Sequence, residues 1–175
     1  VLRGLRLAGP GKNVANTNGV FVNIASPSCC ISVHLENTIV TDFEEGVEMT
    51  IGVAGRLLVS DSVFRSNKTG INFSAGGTEA NGAVFERSRL ELNDIGILTS
   101  TGNPVTVSNS AATGNGVALQ ANPGGKLDIF QSVITKNSKG VDANGGVVRI
   151  AYSSVMGNST GISAGGGIVH SMGNN

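Results

Sequence analysis

Carboxylates crowd into one short stretch of this chain. Asp42, Glu44, Glu45 and Glu48 stand close together, Glu36 precedes them, and His34 lies just upstream. Oxygen ligands in so short a run could bind Ca²⁺, so Asp42, Glu44, Glu45 and Glu48 are the metal candidates. Further on stand Arg65 and Lys68. His34, Glu44, Glu45, Glu48, Arg65 and Lys68 are the candidates for catalysis, and no residue is committed to it. The bland reading weighs more. The acidic spacing matches no Ca²⁺ loop, and strand alternation would send these side chains in different directions. A solvated face accounts for the cluster, and a lone surface histidine accounts for His34. His170, near the end of the chain, says less. No cofactor is expected apart from that Ca²⁺.

Other motifs are weaker. Cys29 and Cys30 are adjacent; neighbours in sequence seldom satisfy disulfide geometry, and no other cysteine exists to complete a metal site. Gly145–Gly146 and Gly165 to Gly167 lack the lysine of a phosphate loop and read as corners. Asn67-Lys-Thr, Asn72-Phe-Ser and Asn158-Ser-Thr have the form of glycosylation sites. Asn67 and Asn158 belong to an internal ladder, so those two should be inaccessible.

The elements that position these residues come from a repeat. LDIFQSVITKNSKGVDANGGV, from Leu127, is followed at once by VRIAYSSVMGNSTGISAGGGI. The two align residue by residue. Extended upstream, one register holds through Phe43, Asn67, Asn93, Asn115, Asn137 and Asn158, with Asn16 marking a first coil. Ahead of each mark stand Thr38, Ser62, Ser88, Ser110, Ser132 and Ser153, and aliphatic residues two apart. After it come Gly46, Gly70, Gly96, Gly116, Gly140 and Gly161, each followed by Val or Ile. Such a period with alternating apolar residues is a solenoid signature. One coil cannot bury its inner face alone; stacked coils can, at ~4.8 Å spacing. The expected fold is all-β, a parallel β-helix of about seven coils with 21–26 residues each. It forms a single domain over 1–175, with 1–30 an irregular first coil and 169–175 an incomplete last one. Glycine is expected to supply the sharp corners.

Column arithmetic also pairs charges across coils. Glu44, Lys68 and Asp94 share one outward column, Arg65 and Glu91 another, Asp61 and Arg87 a third, Asp128 and Arg149 a fourth. No two aspartates share a column, which argues against a stacked catalytic pair. The bulk composition agrees. Twelve basic residues balance 12 acidic ones, so nothing points to nucleic acid. No apolar run is long enough to span a bilayer. Leu58 and Val84 stand outward on adjacent coils; they and the open ends of the solenoid are the expected surfaces for self-association.

The I-x-x-N-x-x-G-[IV] units, such as Ile134 to Val141 and Val155 to Ile162, resemble the short repeats of the right-handed parallel β-helix proteins of the pectin-lyase-like superfamily. The resemblance implies the right-handed coil and a secreted or cell-surface setting. In that family's enzymes it implies acidic residues clustered on neighbouring coils, binding Ca²⁺ beside an Arg or Lys base or acting as paired acid and base. The paired-Asp and Gly-His-Gly motifs of its polygalacturonase-like members are absent from this chain. The expectation is therefore a non-catalytic β-helix module that binds carbohydrate or serves as a surface scaffold. The alternative is a polysaccharide lyase or glycosidase with its site near the acidic coil 34–48. A groove holding a metal or sugar beside the longer turns at 50–55 and 74–81 would favour the enzyme.

Overall fold

The computed structural model describes residues 1–24, 31–52, 55–75, 82–100 and 104–175. Cys29 and Cys30 fall outside these, as do residues 53–54 and 76–81 of the turns at 50–55 and 74–81. The described chain is all β, and it repeats a three-strand cycle. The first coil is β1 (Leu2–Arg3), β2 (Arg6–Ala8) and β3 (Asn18–Ile24). The second is β4 (Ile31–Glu36), β5 (Ile39–Thr41) and β6 (Glu45–Ile51), and the third β7 (Gly55–Ser60), β8 (Val63–Arg65) and β9 (Thr69–Ala75). Then follow β10 (Gly82–Glu86), β11 (Arg89–Glu91) and β12 (Ile95–Thr99), and β13 (Pro104–Ser108), β14 (Ala111–Thr113) and β15 (Val117–Ala121). The last complete cycles are β16 (Lys126–Phe130), β17 (Val133–Thr135) and β18 (Lys139–Ala143), and β19 (Val147–Ala151), β20 (Ser154–Met156) and β21 (Thr160–Ser163). β22 (Ile168–Ser171) opens another.

Every third strand joins the same sheet, and all pairs are parallel. Sheet one takes the first strand of each cycle and has eight strands; sheets two and three have seven each. The result is a parallel β-solenoid. The first coil pairs with the second through Leu2 with Leu35, Leu7 with Val40 and Val20 with Val47, and a longer connection, 9–17, separates β2 from β3.

Alternation fixes what lies inside. Leu35, Val59, Phe85, Val107, Ile129 and Ile150 stack on sheet one; Val40, Phe64, Leu90, Ala112 and Ile134 on sheet two; Val47, Ile71, Ile97, Leu119 and Val141 on sheet three. Each fully buried aliphatic side chain contributes about 1.5–3 kcal/mol. Two polar ladders run between these stacks. The Asn67 backbone N–H donates to Asn93 Oδ1 at 2.9 Å, Asn93 to Asn115 at 3.0 Å, Asn115 to Asn137 at 2.8 Å, and Asn137 to Asn158 at 2.9 Å. Phe43 N–H starts the series on Asn67 Oδ1. In the serine ladder each backbone N–H, from Thr38 to Ser132, donates to the hydroxyl oxygen of the next coil. Asn175 takes the last place, its Oδ1 accepting from Ser153 N–H at 3.0 Å. Both ladders give an acceptor to buried turn amides that water cannot reach.

Two details depart from the column reading. Gly116 is not in the glycine column; Ala118 is, since Ile95 pairs with Val117 and Ile97 with Leu119. Elsewhere the column needs glycine, because a Cβ on Gly70 would sit 2.6 Å from the Gly96 carbonyl oxygen. The corners, in contrast, mostly lack glycine. Asn37, Asp61, Arg87, Asn109, Gln131 and Tyr152 all hold left-handed φ values at one corner, and Asp42, Ser66, Leu92 and Lys136 at the next. The ladders beside each corner hold the backbone there, against a cost of about 1–2 kcal/mol per residue.

Candidate functional site

The acidic stretch turns from the β5–β6 corner onto the outer face of sheet three. Glu45 pairs in register with Asn18 and Thr69, and Glu48 with Phe21 and Asn72. Since Val47 and Met49 point inward, Glu48 must point out. On β3 the same alternation puts Val20 and Val22 towards the core and Phe21 outward, 56% exposed. Together Asn16, Asn18, Phe21, Glu44, Glu45 and Glu48 line an open cleft of about 660 Å³.

The three glutamates differ in their settings. Glu44 accepts from Lys68 Nζ at 2.8 Å and from the Asn16 backbone N–H at 2.6 Å. The Lys68 bond, then the Asn16 bond, hold its carboxyl below the usual glutamate range, and the same partner raises Lys68. Glu48 accepts from the Asn18 amide at 2.7 Å. Glu45 is half-buried. One carboxylate oxygen accepts from Asn72 Nδ2 at 3.2 Å, and the other is buried with no hydrogen-bond partner. Burial pushes its carboxyl up, and the charges of Glu48 and Glu44 add to that against the Asn72 bond.

The other candidates do not join this cleft. Asp42 sits in the left-handed corner, its Oδ2 accepting from Thr41 Oγ1 at 2.8 Å. Among the described residues no three His, Cys, Asp or Glu side chains are grouped to hold a metal ion. His34 belongs to sheet one, where its Nε2 lies 2.9 Å from Ser32 Oγ. It shares a smaller depression of about 260 Å³ with Leu58 and Val84, which pair in register. Arg65 ends β8 on sheet two. The catalytic candidates thus occupy three different faces, and only Glu44, Glu45, Glu48 and Lys68 come together.

The charge ladders form in part. Arg87 grips Asp61 through two bonds of 3.0 Å, and Arg149 grips Asp128 through bonds of 2.5 and 2.6 Å. Lys68 bonds Glu44, but Asp94 is taken by Lys12 at 2.6 Å. Glu91 pairs with Arg89 at 3.3 Å, not with its register partner Arg65. Sharing a column brings side chains within reach of each other; long cations then choose among several carboxylates.

Column reading missed Asn16, Asn18 and Phe21 as site residues. The signal was in N-T-N-G-V-F-V-N: alternation there puts the aromatic outward, in a chain with 4% aromatic residues. No family model matches the chain, and no curated protein or solved structure matches it. No helix is long and apolar enough to cross a membrane among the described residues.

Proposed function

We propose that this chain is a non-catalytic carbohydrate-binding module whose site is the sheet-three cleft. The observation that carries the reading is Phe21, exposed on the rim of a cleft otherwise lined by amides and carboxylates. An aromatic face supplies apolar contact for the C–H surface of a sugar ring. Planar amides and carboxylates around it fix hydroxyl groups by hydrogen bonds. Asn18 is held by Glu48 and Glu44 by Lys68, so much of the rim is ordered before a ligand arrives and little entropy is lost on binding. Carboxylates on the rim favour neutral over acidic glycans. The kinship with right-handed, pectin-lyase-like β-helices belongs to this proposal, supported by the I-x-x-N-x-x-G-[IV] units. The test is native electrophoresis through gels containing single polysaccharides, with an assay for new reducing ends and unsaturated products. At least one neutral polysaccharide should retard the chain, and Phe21→Ala should abolish most of the retardation without any product appearing. No retardation by any polysaccharide, or full retardation of Phe21→Ala, would overturn the reading.

One observation favours a second reading, a glycosidase in this cleft. Glu45, raised by burial, stands beside Glu48, and a carboxyl held protonated beside a second carboxyl group is how such pairs divide acid and base roles. New reducing ends lost in both Glu45→Gln and Glu48→Gln would establish it in place of the first.

A further inference from the structure

Beyond the cleft, the solenoid sorts its asparagines by how firmly it holds them. Asn18–Gly19, Asn115–Gly116 and Asn144–Gly145 are Asn-Gly pairs that the structure describes in full. Such a pair can close on itself. The backbone nitrogen of the glycine attacks the asparagine Cγ, ammonia leaves, and a five-membered succinimide forms; water then opens either carbonyl to give aspartate or isoaspartate. Closure requires a free side-chain amide and a main chain able to swing the glycine nitrogen towards it, so each hydrogen bond on either group is a brake.

Asn115 carries the most brakes. It is 2% exposed; its Nδ2 donates to Leu90 O and Asn137 Oδ1, and its Oδ1 accepts from the Asn93 N–H and side-chain amide. Gly116 N–H donates to Asn93 O. Asn18 is part of β3, paired along β6, and its Nδ2 donates to Glu48. Asn144 is the exception. It is exposed in the turn between β18 and β19, outside any strand. Its amide makes a single exposed bond, to Asn122 Oδ1 at 3.0 Å. Gly145, at φ 83°, has no ladder partner and bonds only locally to Ala143 O. With no Cβ it leaves its own nitrogen unhindered.

We propose that Asn144 is a site of spontaneous deamidation, selected by the fold over Asn18 and Asn115. Conversion to isoaspartate adds a methylene to the main chain directly before β19. It also places a new carboxylate two residues from the buried Asp142. The Gly146 N–H to Ala121 O bond, which sets where β19 begins, would be the first to suffer.

The full chain would be incubated at mildly alkaline pH, folded or in denaturant, then digested with trypsin and mapped by mass spectrometry. Residues 140–149 form one tryptic peptide whose single asparagine is Asn144. In the folded chain, deamidation at Asn144 should outpace that at Asn115 by more than about tenfold, the factor that an opening cost of about 1.4 kcal/mol imposes. In denaturant the sites should react at similar rates, which isolates the fold as the cause. An Asn144→Gln chain gives the blank for that peptide. Equal folded-state rates at Asn144 and either Asn18 or Asn115 would overturn the proposal, as would preference for Asn144 persisting unchanged in denaturant.

Discussion

Leu92 holds a left-handed backbone, φ 56°, with a side chain 56% exposed. Little burial offsets the strain of its Cβ. Leu92→Gly should therefore stabilise the chain by about 0.5–1 kcal/mol in urea denaturation, the relief of strain less the added entropy of the unfolded glycine. Tyr152 shares the conformation but packs edge-on to Phe130, ring centres 5.4 Å apart, so glycine there should gain less. Thr99 is the reverse case. Its hydroxyl lies in the core with no partner, and Thr99→Val should add about 1 kcal/mol by removing an unpaired polar group. Glu45 ties stability to pH. Its carboxyl is raised in the fold, so its favourable contribution is complete below the unfolded glutamate value and is lost as pH rises through the higher folded one. Glu45→Gln should thus melt higher than the parent at neutral pH and level with it in acid. A difference that does not change with pH would contradict the assigned burial.

At the scale of elements, the ladders make the coils interdependent. Asn93 accepts from the Asn67 N–H and side chain and donates to Phe64 O and Asn115. Asn93→Ala leaves the buried Asn67 N–H and Phe64 carbonyl on the preceding coil without their partner and should cost about 3 kcal/mol. Asn158 makes the same bonds to the preceding coil but lies half-buried at the end of the series, where water can reach the groups it leaves, and Asn158→Ala should cost about 1 kcal/mol. Equal losses in urea midpoints would show that the ladder is not cooperative. These ladders were legible in the sequence, because one register carries both Asn and Ser marks and the strand period sets which face each residue takes. The glycine column was legible except at Gly116. There a glycine before a valine mimicked the pattern, while the fixed offset from Asn115 leads to Ala118. The corners were not legible. Their left-handed residues, such as Arg87 and Leu92, carry no local signal, and the backbone is held there by bonds made to other coils.

Over the whole molecule, the solenoid distributes its chemistry among three faces. Residues close in sequence, His34 and Glu45, diverge to sheets one and three, while Asn18 and Glu48 meet across coils. The acidic wall of the cleft could be read from composition. Its aromatic rim rests on alternation within N-T-N-G-V-F-V-N alone, because Phe21 sits in the coil where the repeat is least regular in sequence. Lys12 shows the same limit: its bond to Asp94 joins residues 82 apart, and no periodicity encodes it. The central claim is that ligand binding belongs to sheet three. It is tested most directly by recording backbone amide shifts while titrating an oligosaccharide of whichever polysaccharide retards the chain. Shifts should concentrate at Asn18 to Val22 and Glu44 to Glu48, with His34, Leu58 and Val84 unmoved. Shifts centred on that sheet-one strip, or none in the cleft, would contradict it.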